Sequence, residues 1–518
     1  MELPMVYLLS ILVPIFFFFF MLISIITKQK AIRRPVLPSP WSLPVVGSIH
    51  YLRLVLAKNL LPFRAFRDLS VRYGPLMLLR VGPTDITVAS SREAAEAILK
   101  THNTNFSFRS ELVAAKVILY NCTDMIFSPH GPHWKQLRKL CFINLLGPKP
   151  IRSSASIRTQ ESHNLIRVIQ TYCSSTTVPI DLSEKIYAAS TAILTRSAFG
   201  ARIDNPERFN ALAKEALELL GGLCIVDMVA SWTGIQLLSG VKFKLRRLHH
   251  QIDAIAEEIV KQHELKAMRS DGPTDDNEVM VDLVDSMLNL QHKPESENVA
   301  MARDSIKGLI LDMFLGGTTT TSDTIEWAMT ELIRNPEAME KAQKEVRNLY
   351  KDKNQVTEED AMELGYLKLV IKETLRLHPP APLIPRICKE TCEMLGYEIK
   401  AGSRVFLNVW AINRDPLYWE EAERFNPERF IKNSDIDFKG SNFEYLPFGG
   451  GRRLCPGMGF GLATLHLILA HLLLYFDWKM PHGMKANEID MSETPGLIAS
   501  KKHKLMLTAT LHGEIYSI

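Results

Sequence analysis

The chain has 518 residues, with 61 Lys and Arg against 57 Asp and Glu, a formal net charge of +4. Hydrophobic residues make up 46% and charged residues 23%, the proportions of a folded soluble protein, which excludes a disordered chain, a collagen-like fibre and a polytopic transporter. So small a surplus over such a length supplies no general basic field for nucleic acid. The length alone points to three domains, with one large domain plus an extra segment as the rival. Cysteines stand at Cys122, Cys141, Cys173, Cys224, Cys388, Cys392 and Cys455. An odd, scattered set argues against a disulfide framework and leaves a thiol for other work.

Residues 6–26 carry no charge, and residues 16–20 are all phenylalanine. At the helical rise this run covers about 31 Å, the hydrocarbon core of a bilayer. Pro14 is tolerable in a lipid-embedded helix. A cleaved secretory signal is disfavoured by the long apolar run, by Glu2 ahead of it and by the lack of a small-residue cleavage site. Lys28, Lys30, Arg33 and Arg34 follow, so the positive-inside rule puts the N-terminus in the lumen and the remainder in the cytosol. Residues 1–27 are thus expected to be a lumenal end and a transmembrane signal-anchor helix. Residues 28–50, basic and then rich in proline, are expected to be a stiff extended linker, and 51–518 a single cytosolic domain.

That domain is expected to be mainly α-helical with small β-sheets. Helical periodicity covers 58–73, 92–101, 131–146, 180–199, 206–220, 244–267, 301–334, 336–350 and 363–377. Residues 76–81 and 86–89 flank a Gly82-Pro83 turn and read as a hairpin, with further strand at 395–408 and near the C-terminus. The polar stretches 270–278 and 291–298 read as surface loops.

The most informative segment is Phe448-Gly449-Gly450-Gly451-Arg452-Arg453-Leu454-Cys455-Pro456-Gly457. Consecutive glycines permit a tight turn or the close approach of backbone to something flat. Cys455 precedes the apolar helix 458–475, and Arg452 and Arg453 stand beside it, a setting that favours the thiolate. No second Cys or His lies near enough in sequence for a zinc site. A single cysteine ligand suits a cofactor that brings the metal's other ligands with it, as haem does.

This segment closely resembles the haem-ligand motif F-x-x-G-x-R-x-C-x-G of the cytochrome P-450 family, with Phe448, Gly451, Arg453, Cys455 and Gly457 at the fixed positions. The resemblance implies that Cys455 is the axial thiolate of haem b, that Arg453 binds a propionate and that Phe448 packs beside the sulfur. Glu373-Thr374-Leu375-Arg376 matches the family's E-x-x-R, and the Arg of Phe425-Asn426-Pro427-Glu428-Arg429-Phe430 completes its structural triad of Glu373, Arg376 and Arg429. Trp134 and Arg138 fill the W-x-x-x-R pattern that reaches propionates, and Arg386 is a further propionate partner by the same resemblance.

In the helix over 301–334 the sequence is Leu315-Gly316-Gly317-Thr318-Thr319-Thr320-Thr321-Ser322, where the family has [AG]-G-x-[DE]-T-[TS]. Gly316 and Gly317 fit as room beside the haem, and Thr320 falls on the threonine that supports proton delivery. The acidic position is Thr319. A hydroxyl can relay a proton but cannot store one as a charged group. Asp323, four residues on and near the same face, is therefore a candidate substitute acid, against the simpler reading of an ordinary solvated or salt-bridged helix residue. The hydroxyl run is poor helix interior, so a local distortion is expected.

Asp437-Phe438-Lys439-Gly440, Phe443-Glu444-Tyr445-Leu446-Pro447 and Thr324-Ile325-Glu326-Trp327-Ala328-Met329 resemble plant microsomal A-type enzymes, and terpenoid oxidases most closely. They imply an NADPH-dependent monooxygenase of the endoplasmic reticulum, single-pass, acting on a lipophilic secondary metabolite. Pocket segments expected by position are 106–127, 207–220, 309–320, 380–385 and 494–499, with Leu112, Val113, Ala114, Ala115, Val117, Ile118, Ile126, Leu497, Ile498 and Ala499 as apolar wall. The chain has no nucleotide-binding fingerprint, so electrons are expected from NADPH through a cytochrome P-450 reductase. Outward-pointing members of the set Lys135, Arg138, Lys139, Arg452 and Arg453 would meet it. Alternatives are a haem-thiolate isomerase or dehydratase that needs no reductase, a binding protein with a dead haem site, and an alkaloid or phenolic substrate. The orientation also predicts that the sequons at Asn105 and Asn121 stay unmodified in eukaryotic expression, so endoglycosidase treatment should leave gel mobility unchanged; a downward shift would reverse the topology.

Overall fold

The computed structural model describes residues 36–43, 47–48, 51, 61–82, 84–173, 178–201, 206–221, 241–269, 282–292, 301–351 and 357–513. The expected membrane helix, the basic part of the linker and the polar stretch 270–278 lie outside them. The described helices are α1 (Pro62–Tyr73), α2 (Arg92–Glu96), α3 (Val113–Ile118), α4 (Pro132–Cys141), α5 (Pro148–Ser153), α6 (Ala155–Cys173), α7 (Leu182–Phe199), α8 (Pro206–Leu219), α9 (Val241–Arg269), α10 (Leu283–His292), α11 (Arg303–Gly317) and α12 (Thr319–Arg334). They continue with α13 (Pro336–Tyr350), α14 (Glu358–Glu363), α15 (Gly365–Leu377), α16 (Val409–Ile412), α17 (Arg429–Lys432) and α18 (Met458–Tyr475). Wider π-type turns extend α2 over Ala97–Thr101 and α4 over Phe142–Leu146.

Helix ends follow local chemistry. The Asp181 carboxylate caps α7 by accepting from the Glu184 amide at 3.0 Å, and Gly200 ends that helix at φ 65°, which glycine takes without cost. Thr357 and Asp360 form a reciprocal capping box on α14.

The strands are β1 (Leu76–Val81), β2 (Thr84–Ala89), β3 (Ile180–Asp181), β4 (Leu383–Ile387), β5 (Cys392–Met394), β6 (Tyr397–Ile399), β7 (Arg404–Asn408), β8 (Phe476–Lys479) and β9 (Met506–Leu511). The main sheet has the order β1-β2-β7-β4; only the β2–β7 pair is parallel, with Val88 opposite Phe406. Smaller sheets are β3-β9-β8 and β5-β6. The end of the expected pocket segment 380–385 belongs to β4. Pro385 is tolerated there because β4 is an edge strand.

The main core lies among the helices. α18 is 18 residues long with a mean hydropathy of 1.7, enough to cross a membrane by length and composition, but it packs against α6, α12, α13, α14 and α15. Two departures from the sequence reading matter. The expected helix over 301–334 is two helices meeting at Thr318. And α6, absent from that reading, hides its periodicity because Arg158, Glu161 and Ser162 are buried polar residues on its inner face.

Arg158 is fully buried and grips Glu358 through Nε to Oε2 at 2.5 Å and Nη2 to Oε1 at 2.8 Å, tying α6 to α14. Glu358→Ala strands that guanidinium and should cost about 3 kcal/mol or more, whereas replacing both partners by Met and Leu should recover most of the loss. Urea midpoints of the three proteins check this; equal midpoints for parent and Glu358→Ala would contradict it.

Candidate active site

The site is built on the loop before α18. Gly449 and Gly451 have φ of 71° and 65°, a left-handed conformation that side chains resist. A Cβ at Gly451 would also lie 2.7 Å from both the Leu99 carbonyl and the Asn103 side chain, so the turn after α2 can cross here only over glycine. The Arg452 amide donates to Asn103 Oδ1 at 3.1 Å, and the Cys455 amide to the Phe448 carbonyl at 3.0 Å. Cys455 sits deep in the molecule with its side chain still open to the central cavity. Burial pushes its thiol up, while the amides of Gly457 and Met458 and the Arg138 guanidinium pull it down. The sequence argument expected Arg452 and Arg453 to favour the thiolate. Here Arg138 is the cation that acts, and burial outweighs it; a metal cation on the sulfur would supply the missing stabilisation of the anion.

Beneath this loop lies a polar lock. Glu373 Oε2 and Oε1 accept from Arg376 Nε at 2.8 Å and Nη2 at 2.9 Å, and Oε1 also accepts from Arg429 Nε at 2.9 Å and the Asn426 amide at 2.8 Å. The two guanidiniums spend their remaining protons on carbonyls. Arg376 takes those of Asn413, Ala422 and Arg424, and Arg429 those of Glu420, Glu421 and Arg424. Asn413 Oδ1 then accepts the Leu446 amide at 3.2 Å, which connects the lock to the cysteine loop.

Above the loop is a cavity lined by Cys455, Phe448, Gly457, Trp134, Arg138, Arg386, Arg453, Gly316, Gly317 and Thr320, all expected at the site, together with Arg109. Arg386 is buried, and its hydrogen bond is to its neighbour's carbonyl, Pro385, at 3.0 Å. Burial holds it well below the usual arginine range, and Arg109 and Arg453 push the same way. Burial also lowers Arg109 to about 10 and Arg453 to about 9. None of Arg109, Arg138, Arg386 and Arg453 has an ion pair among the described residues. Arg386 and Arg453 are buried and Arg109 and Arg138 half-buried; Arg453 donates to the carbonyls of Ser107, Met125 and Ser128, but cations so placed without an ion pair suit an anionic ligand. With an open thiol on the same cavity, this donor set fits haem, whose metal would take Cys455 and whose two propionates would take the arginines. Gly316, where an added Cβ meets nothing within 4 Å, leaves room for a flat group.

Gly317 acts differently: a Cβ there would meet Leu194 on α7 at 2.9 Å, so it permits helix contact. Trp134 Nε1 donates to the Met125 carbonyl at 3.1 Å, so the indole proton is engaged with the backbone. Gly451 shapes the loop without lining the cavity.

The junction of α11 and α12 carries the distortion expected of the hydroxyl run. Thr320 Oγ1 donates to the Gly316 carbonyl at 2.6 Å, and Thr318 Oγ1 to the Phe314 carbonyl at 2.7 Å. Side-chain donors on these carbonyls compete with the helix ladder. Thr320 reaches the cavity. Thr319 and Asp323 are buried and do not line it, and Thr319 Oγ1 has no hydrogen-bond partner among the described residues. Asp323 is neither solvated nor salt-bridged: its Oδ2 accepts from Ser500 Oγ at 2.5 Å, and burial raises it to about 7.

Of the expected apolar wall, Ile126, Leu497 and Ile498 line the cavity. Leu112, Ala114, Ala115 and Ile118 are buried in the main core instead, with Val113 and Val117 packed against it, and Ala499 packs beside the main sheet. The sequence reading missed Arg109, which no motif marks, and the paired acids Asp124 and Asp312. Asp312 Oδ2 accepts the Met125 amide at 2.5 Å and the Ile126 amide at 3.3 Å, holding two cavity residues in place. Burial raises Asp312 far above the carboxylate range and Asp124 to about 6. The signal was available: Asp312 is the lone acid in the apolar run 309–315.

Residues 37–508 match the family model for cytochrome P-450. The chain is 44% identical to premnaspirodiene oxygenase of Hyoscyamus muticus over 91% of its length and 92% of that protein. It is 42% identical to germacrene A hydroxylase of Barnadesia spinosa over 96% of each. Among solved structures, a zebra fish cytochrome P-450 with abiraterone superposes with a TM-score of 0.72 at 22% identity, over 87% of this chain and 99% of that one, a likeness of fold. Cysteine loop, polar lock and matched length agree, and the chain belongs to the cytochrome P-450 family.

Proposed function

We propose that this chain hydroxylates a terpenoid of sesquiterpene or diterpene size at the endoplasmic reticulum membrane. The observation that carries the reading is the open Cys455 thiol on a largely apolar cavity, whose four arginines make no ion pair among the described residues. The relatives' names point to the sesquiterpene skeletons premnaspirodiene and germacrene A. Apolar walls with few polar anchors suit such hydrocarbons. Haem, when bound, supplies reductive activation of O2, placing one oxygen atom in the substrate and releasing the other as water, with two electrons from NADPH.

The chain's own residues divide the remaining tasks. Arg109, Arg138, Arg386 and Arg453 hold the propionates, and the lock of Glu373, Arg376 and Arg429 keeps the cysteine loop in register. Leu194, Leu217, Leu220, Leu497 and Ile498 exclude water and orient the substrate. Thr320 holds and passes protons at the cavity wall through its hydroxyl, with Thr319 and Asp323 behind it as the reserve that replaces the family's acid. Lys135, Lys139 and Arg452 are exposed near the cysteine loop and form the docking patch for an acidic reductase. The anchor helix and linker at residues 1–50 keep the domain at the bilayer, where both substrate and reductase are found.

Microsomes co-expressing the chain and a reductase, fed mono-, sesqui- and diterpenes, should yield a hydroxylated product that requires NADPH and fades as salt screens the docking patch. The ferrous–CO spectrum should show a thiolate-type Soret band that Cys455→Ser abolishes. Conversion without reductase would favour the isomerase reading instead, and a band surviving in Cys455→Ser would remove the haem assignment. Thr320→Ala should lower product per NADPH consumed by about tenfold or more, the scale of a lost proton-transfer group, and Thr319→Asp should keep or improve that ratio. Unchanged coupling in Thr320→Ala would place proton delivery elsewhere.

A further inference from the structure

Residues 493–501 form a small hairpin that brings Leu497 and Ile498 to the cavity. Glu493 bridges Lys501, and the Thr494 amide and hydroxyl both donate to the Ser500 carbonyl, at 2.8 and 3.2 Å. The tip is tied to the helices at three points. The Leu497 amide donates to the Leu217 carbonyl of α8 at 3.2 Å, and the Ala499 amide to the Pro380 carbonyl after α15 at 2.9 Å. The third tie is Ser500 Oγ to Asp323 Oδ2 of α12 at 2.5 Å. The first two use backbone groups that any sequence would offer at those positions. The third depends on two particular side chains, as does the pair of Arg64 on α1 with Glu493 at the base of the hairpin.

Asp323 is 6% exposed and has no ion pair among the described residues. Glu326 raises its proton affinity and Lys214 lowers it, without a direct bond from either. A buried carboxyl whose described hydrogen-bond donor is one hydroxyl makes that bond costly to lose. The partner's residue sits two positions from Ile498. Moving Ser500 therefore moves the wall of the cavity, and a Cβ added at Gly221 would lie 3.1 Å from the Gly496 and Leu497 backbone, so there is little slack on the other side.

We infer that the Asp323–Ser500 hydrogen bond is a specificity-determining clamp, which fixes how far Leu497 and Ile498 reach into the cavity and so selects lipophilic ligands by bulk. Asp323 acts here as a positioning residue, separately from any proton it supplies. The inference rests on the cavity being the haem and substrate site, but not on the substrate being a terpenoid.

The test uses ferric holoprotein titrated with imidazole and with the bulkier phenylimidazole, followed by the Soret shift. Asp323→Ala and Ser500→Ala should each change the phenylimidazole Kd by about fivefold, the range of coupled neighbours, while imidazole changes by less than about twofold. The double variant should match either single one, and Ser500→Thr, which keeps a hydroxyl, should restore the parent ratio. The clamp is overturned if both ligands shift together, if neither shifts, or if the single effects add in the double variant. If Asp323→Ala fails to retain haem, Ser500→Ala against Ser500→Thr decides alone. A parent protein that gives no Soret response to imidazole removes the haem reading and the clamp with it. A responsive parent with an unchanged ratio removes the clamp alone.

Discussion

One carboxylate holds the active-site architecture together. Glu373 stands between the guanidiniums of Arg376 and Arg429, all three away from water, and accepts four hydrogen bonds. Two buried cations around one anion would be unfavourable if that were the whole arrangement. The surplus charge is spread over carbonyls drawn from residues 413–424, a stretch of largely irregular backbone that would otherwise carry unsatisfied acceptors. The lock thus turns a loop-rich segment into a rigid floor, and through Asn413 and Leu446 the floor sets the height of Cys455. Removing Glu373 would release the irregular segment and the cysteine loop together.

A second constraint runs through the helix pair α11 and α12. In the run of five hydroxyl residues from Thr318 to Ser322, where the two helices meet, Thr318, Thr320 and Ser322 add side-chain bonds to helix carbonyls. The break lies beside Gly316, where the wall must yield to a flat cofactor. An acid at position 319 would have been buried here too, next to the aromatic hydroxyl of Tyr187, which bonds Thr318 at 3.3 Å. Asp323, one turn on, is a buried acid that holds a second element through Ser500. The substitution and the loop contact form one local rearrangement of polar groups.

The chemistry was more legible in the sequence than the packing. Cys455 and its neighbours could be read because a tight left-handed loop, a metal ligand and a helix start each demand a particular residue type within ten positions. The Glu373 lock was legible only through resemblance, since Glu and Arg three apart occur on countless helix surfaces. Arg109 could not be read because its meaning comes from Arg386 and Arg453, which lie far off in the chain and meet it only in the fold. α6 was lost for a related reason: Arg158 looks like a surface residue until Glu358 arrives to neutralise it. The helix α3 failed in the opposite sense. Its apolar residues were real, but composition cannot say whether a hydrophobic side chain faces a cavity or a neighbouring helix. Asp323 shows the same limit, since its place four residues after Thr319 could be read and its partner, Ser500, was invisible.

The burial of α18 has a consequence for how the chain is made. By composition it is a membrane span, and an insertion apparatus that reads apolar length has no means of knowing that it belongs to a core. Its safety lies in order of synthesis. Among the described residues, all the helices that pack against it precede it, so its docking site can exist before residue 458 leaves the ribosome. A lesion that delays that site, in α6 or α14 for example, would expose a false topological signal as well as weaken the folded enzyme. The same mutation could then act through misinsertion before stability is ever tested.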